Sequence, residues 1–186
     1  LSALAPDSIG AHVSVGPTRD ALAAAQTAAD NTTTDSEDIS LTAGGVSKTI
    51  DVSANDSAKT VASKINGINS STGITAEAKT HAFLFSTNSS SETYTITVNG
   101  NSTSSFTISS SDVSDAVAKI NLISVSTGVS ATTTDSNKVL LSDSTGDDIT
   151  IEDSASGTSL DLQAVQFDES TTQGNAVSLA AGGSTN

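Results

Sequence analysis

Few side chains in this 186-residue chain have the chemistry for catalysis or metal binding. His12 and His81 are its two histidines, the side chains best placed to move protons near neutral pH. His12 lies in Gly10-Ala11-His12-Val13-Ser14 and His81 in Lys79-Thr80-His81-Ala82. Neither has an acid and a nucleophile arranged beside it. With 61 Ser and Thr among 186 residues, a nearby hydroxyl carries little information. Both are read as strand histidines, exposed or partly packed. The densest acidic run is Asp143-Ser144-Thr145-Gly146-Asp147-Asp148, with Glu152-Asp153 close behind. Calcium takes about six to eight hard oxygens, and these clusters offer several. The alternating ligands, mid-loop glycine and terminal glutamate of a helix–loop–helix calcium site are not met, so a solvated acidic turn is the preferred reading. No Gly-x-Ser-x-Gly elbow or phosphate-cradling loop occurs, and Gly44-Gly45 and Gly182-Gly183 read as turn glycines. Cysteine is absent, which removes disulfides, thiolate chemistry and the common structural zinc sites. No residue is therefore assigned a catalytic, cofactor-binding or metal-ligating role, and no cofactor is expected. Five Asn-x-Ser/Thr sequences occur, at Asn31, Asn55, Asn69, Asn88 and Asn101. Hydroxyl clusters such as Ser89-Ser90-Ser91 and Thr132-Thr133-Thr134 are candidates for O-linked sugars.

Charge narrows the partners. Seven basic against 21 acidic side chains leave a net charge of −14. Nucleic acid and anionic membrane surfaces are disfavoured, because both need clustered cations. Residues 139–186 hold eight acids and no Lys or Arg. The longest strongly apolar stretch, Ala82-Phe83-Leu84-Phe85, is far short of the roughly 20 residues that span a bilayer. The chain opens on Leu1 with no basic, apolar leader, which reads as a piece cut from something longer. Its hydroxyl-rich composition approaches that of disordered chains, yet 35% hydrophobic residues in patterned positions favour a folded, β-rich domain.

The pattern is a repeat. Lys64-Ile65-Asn66-Gly67-Ile68 and Ser71-Thr72-Gly73-Ile74-Thr75-Ala76 recur, 55 residues on, as Lys119-Ile120-Asn121-Leu122-Ile123 and Ser126-Thr127-Gly128-Val129-Ser130-Ala131. Upstream, Ala58, Val61, Ile65 and Ile68 map onto Val113, Ala116, Ile120 and Ile123, each set following the spacing of one helical face. Asp56 and Ser111 are expected N-caps, and Gly73 and Gly128 the stops. The Ile of each Ile-Asn pair completes the buried stripe, while the Asn is expected to close the helix end.

Strands flank each helix. Asp38-Ile39-Ser40-Leu41-Thr42 and Thr49-Ile50-Asp51-Val52 alternate across Gly44-Gly45, and Tyr94-Thr95-Ile96-Thr97-Val98 faces Phe106-Thr107-Ile108 across Asn99-Gly100, both hairpin signals. After the helices, Ile74-Thr75-Ala76 with Phe83-Leu84-Phe85 matches Val129-Ser130-Ala131 with Val139-Leu140-Leu141. The expected fold class is α+β, β-rich overall, with two β-β-α-β-β units whose antiparallel sheets each pack one helix. Residues 1–37 read as a linker with a short helix, Ala21 to Ala29, capped by Thr18; the polar linker runs Asn31 to Glu37. Residues 38–91 and 92–153 are the two units. Residues 154–186 form an acidic tail with strand candidates at Leu160-Asp161-Leu162 and Ala176-Val177-Ser178-Leu179 after Ile149-Thr150-Ile151, and a flexible exit from Gly182.

The paired Ile-Asn sequences, each followed by Thr-Gly-aliphatic-x-Ala, resemble the hook IN motif of bacterial flagellins and of flagellar hook-associated and filament-cap proteins. The resemblance covers roughly residues 38–151. It implies a non-enzymatic, extracellular structural role as the variable, antigenic outer domain of a flagellin supporting motility, lying between long terminal helices that this chain lacks. It also implies partners: core domains of the same chain, neighbouring subunits of a homopolymer, antibodies and host surface glycans. A hook-associated or cap protein, or a calcium-stiffened extracellular adhesion module, is the alternative.

Overall fold

The computed structural model describes residues 24–25, 31, 33–35, 38–153, 160–179 and 184–185. Its strands are β1 (Ala24–Ala25), β2 (Ile39–Ala43), β3 (Val46–Ile50), β4 (Thr80–Phe85), β5 (Glu92–Tyr94), β6 (Ile96–Val98), β7 (Asn101–Ser102), β8 (Phe106–Ile108), β9 (Val129–Thr133), β10 (Val139–Asp143), β11 (Ile151–Asp153), β12 (Leu160–Val165), β13 (Thr172–Leu179) and β14 (Ser184–Thr185). Among the described residues four helical segments accompany them: α1 (Ala58–Gly67), α2 (Asn69–Thr72), α3 (Ser114–Asn121) and α4 (Ser124–Thr127). The molecule is β-rich α+β, and every strand pairing among the described residues is antiparallel.

The two hairpins that precede the helices form. Ile39–Ala43 pairs with Val46–Ile50 around Gly44-Gly45. In the second repeat the hairpin breaks at Thr95: Tyr94 faces Phe106, while Val98 faces Asn101 around the Asn99-Gly100 turn. Thr103 fills the mismatch, donating its N–H to the Ile96 carbonyl (2.8 Å) and accepting the Ile96 N–H on its hydroxyl (3.2 Å). This break lets β6 turn away and pair with β11.

The helices follow the sequence with local corrections. Ser57, one residue after the expected Asp56, is the N-cap of α1 and accepts the Thr60 N–H. Asp56 instead accepts the Ser53 N–H and pairs with Lys64. No side chain caps Val113 at the start of α3; Asp112, not Ser111, accepts the Ser114 N–H two residues on. Gly73 and Gly128 do terminate the helical runs, at φ 69° and 76°, a left-handed turn that glycine adopts without a Cβ penalty. Each run is broken by a tighter turn at Ile68 or Ile123, whose N–H bonds three residues back.

The repeats part company in packing. In α3, Val113, Ala116 and Ile120 are buried and Ile123 packs against the core. In α1, Ala58 is exposed, Val61, Ile65 and Ile68 are half-buried, and the buried residue is Ala62. The main core explains the difference. It lies between the five-stranded sheet β13-β12-β4-β10-β9 and the strands β5, β6, β8 and β11, with α3 completing it. From the first repeat only Ala82 and Leu84, both on β4, reach it. Phe83, Leu140 and Val165 form a smaller cluster on the opposite face of that sheet, with Phe85 and Lys138 against it.

The decisive strand is β4. It was expected to fold back on Ile74-Thr75-Ala76; instead it is central, with β10 on one side and β12 on the other. Both its edges are satisfied, so Ile74–Ala76 forms no strand ladder among the described residues. Two terminal expectations also change. Ala24–Ala25, inside the expected short helix, pairs as a strand with Ser184–Thr185, inside the expected flexible exit. An Ala-rich run of nine residues is too short to hold a helix by propensity alone, and strand pairing wins at the two residues described. The rest of that expected helix, and Thr18, lie outside the described residues.

Candidate functional site

The side chains singled out by the repeat converge on a joint between helix and returning chain. At the end of α3, the Asn121 carboxamide donates from Nδ2 to the Ala131 carbonyl (2.8 Å) and accepts the Ala131 N–H on Oδ1 (2.8 Å). In the first repeat Asn66 binds Ala76 in the same way, at 2.9 and 2.8 Å. The Asn was expected to close its own helix. It does something else, because a carboxamide carries the donor and acceptor of a peptide group on a side chain. It acts as one residue of an added strand. The neighbouring backbone is served by hydroxyls: Thr127 Oγ1 accepts the Val129 N–H (3.1 Å), and Thr72 Oγ1 the Ile74 N–H (3.2 Å). Asn69 donates to the Ile74 carbonyl (2.9 Å).

A second joint ties the repeats together. The acidic turn expected to be solvated has its first carboxylate buried: Asp143 is 4% exposed. Its Oδ1 accepts the Thr145 N–H and hydroxyl, which shapes the turn. Gly146 then accepts the Lys59 N–H (2.8 Å) at the start of α1, and Asp147 pairs with the Lys59 ammonium (2.8 Å). That pairing raises the Lys59 pKa above its ordinary value. Asp148 accepts from Asn31 Nδ2 (2.7 Å). Among the described residues no cluster of three metal-ligating side chains forms. Glu152 lies on β11 with Asp153, across the sheet from β6.

His81 is buried as well. It sits on β4 opposite Ser142 of β10 and Val165 of β12, 5% exposed. Nδ1 lies 2.9 Å from the Ser142 hydroxyl. Nε2 has no hydrogen-bond partner and is 3.8 Å from Glu169 in the β12–β13 turn. Burial pushes the imidazole pKa below its ordinary value; the Glu169 carboxylate opposes that shift and Lys79 adds to it. The Ser–His–Glu line is not a proton relay, because 3.8 Å exceeds hydrogen-bond reach. It was expected as an exposed or partly packed strand histidine and is instead packed within the sheet. His12 lies outside the described residues.

The sequence offered no signal for these partners, since Ser142 and Glu169 are 61 and 88 residues from His81. The modification candidates are distributed differently. Asn31, Asn69, Asn88 and Asn101 each donate their Nδ2 within the protein, whereas Ser89, Ser90 and Ser91 are all exposed.

Together the geometry defines a class: an antiparallel β-rich structural module, repeated, in which a short helix is tied to the returning chain by an Ile-Asn pair. Residues 38–90 match the family model for the flagellin hook IN motif, which is the first repeat. The matched motif supports a flagellin-type structural protein. No curated protein matches the chain as a relative. No helix among the described residues is long and apolar enough to cross a membrane.

Proposed function

We propose that the chain is the surface-exposed outer domain of a bacterial flagellin, decorating the filament, contacting neighbouring outer domains and presenting its variable antigenic face. The observation that carries this reading is the hook IN match at 38–90 together with its second copy, in which Asn121 and Ala131 reproduce the Asn66–Ala76 joint at the same ten-residue spacing. We take 38–91 and 92–153 as the two motif units. A net charge of −14 and hydroxyl-rich faces suit a dense array of subunits exposed to water, because like charge keeps such surfaces soluble. The exposed Ser89-Ser90-Ser91 stretch is where O-linked sugars would sit. Motility is supported through the filament, with no reaction catalysed.

Immunogold labelling of intact cells of the encoding organism, with antibodies raised against this chain, tests the reading. Labelling along the whole filament is expected. Gold confined to the filament tip or hook would favour a cap or hook-associated protein. Gold on the cell body with bare filaments would overturn the flagellar reading in favour of an adhesion module.

A further inference from the structure

We propose that Asn121, with Thr127, is an edge guard: the two side chains occupy outward-facing backbone groups of β9 that a second copy of this chain would otherwise use to add a strand. β9 is the terminal strand of the five-stranded sheet. Ala131 faces Leu141 of β10 in the ladder, but its own N–H and C=O are taken on the outer side by Asn121 at 2.8 Å each. The next outward N–H, on Val129, is taken by Thr127. An open row of such groups is a template for edge-to-edge pairing.

The arrangement is built twice. In the first repeat Asn66 closes Ala76, Thr72 closes the Ile74 N–H and Asn69 closes the Ile74 carbonyl. The returning segment there forms no ladder with another strand, so in the first repeat the same bonds tie helix to chain, and only the β9 copy lies on a sheet edge.

Helix closure does not account for Asn121. The helix end is served by backbone, with the Leu122 N–H bonded to the Ala118 carbonyl and Gly128 terminating α4. Asn121 is exposed although Ala131 beneath it is only 3% exposed, so without the carboxamide the outer N–H and C=O of Ala131 would be left to water. What water would not do is exclude a competing strand. A tethered side chain acts at an effective concentration of roughly millimolar or more, which outcompetes a second chain in dilute solution.

Asn121→Ala in the full chain tests this, read by sedimentation velocity over a concentration series and by amide exchange at Ala131. Expected are an unchanged circular dichroism spectrum, faster exchange at Ala131, and self-association tightened by about tenfold or more, one decade in Kd. Ala118→Gly, which loosens the same helix and leaves Asn121 in place, is expected to match the unmodified chain in self-association. If Asn121→Ala prevents folding, Thr127→Val supplies the same comparison at the Val129 N–H of the same edge. Faster exchange with no gain in self-association would overturn the guard role, as would equal association by Ala118→Gly. Unchanged exchange at the guarded alanine would show that the asparagine holds nothing there.

Discussion

At the scale of single residues, the Ile-Asn pair divides its labour between faces. Ile120 is fully buried, while Asn121 beside it is exposed and bonds the backbone of Ala131. Replacing Asn121 with Ala removes two part-buried hydrogen bonds to Ala131, so a loss of about 1–3 kcal/mol is expected in urea unfolding. Asn66→Ala, at a joint where Asn66 is exposed and Ala76 half-buried, should cost about 1 kcal/mol. His81 gives a pH signature. Its folded pKa lies below the ordinary 6.5, so the folded protein resists a proton that the unfolded chain accepts. The stability this protects is intact above the unfolded pKa and is lost as pH falls from there towards the depressed folded value. Thermal unfolding should show the midpoint dropping as pH falls below the ordinary imidazole value of 6.5, and His81→Gln should flatten that slope. A slope unchanged by the substitution would assign the acid sensitivity to other groups.

At the scale of elements, equal sequence does not mean equal burial. α3 carries its stripe into the main core, whereas Ile65 on α1 stays half-buried. Ile120→Asp forces a charge among Val113, Ala116 and Ile108 and should cost about 3–5 kcal/mol. Ile65→Asp, with water at hand, should cost about 1–2 kcal/mol. Paired urea titrations check the ratio, and equal losses would contradict the burial difference. The joint between repeats has its own weak point at Gly146. Its φ is 79°, and a Cβ there would stand 2.4 Å from the Ala78 Cβ. Gly146→Ala should therefore cost about 2–3 kcal/mol. Because Gly146 accepts the Lys59 N–H, exchange in α1 should rise more than exchange in α3.

At the scale of the whole molecule, stability is unevenly spread. The large buried side chains Tyr94, Phe106, Leu84, Ile96, Ile108 and Ile120 sit in one cluster that α1 and the β2–β3 hairpin do not join. The first repeat is held by smaller contacts, by Ile50, Val52 and Ala62, and by the acidic turn. Hydrogen exchange at neutral pH should show α1, β2 and β3 opening first, with β4, β10 and α3 protected up to global unfolding. Simultaneous opening of both repeats would mean that the joint at Gly146 makes them one cooperative unit.

Local features were legible in the residues. Two helices ending at Gly73 and Gly128 and the turns at Gly44-Gly45 and Asn99-Gly100 follow from apolar spacing and backbone permissiveness, which act within a few residues. The repeat itself needed only comparison of the chain with itself. Partner choice was different. Whether Phe83-Leu84-Phe85 folds back on Ile74–Ala76 or inserts between β10 and β12 depends on which pairing buries more apolar surface, and insertion buries Leu84 completely. Likewise Asp143 becomes a buried turn-former and His81 a sheet residue only because distant strands arrive beside them. The chain's own pattern determined what forms and where it stops; long-range competition for apolar surface and strand edges decided what each piece pairs with.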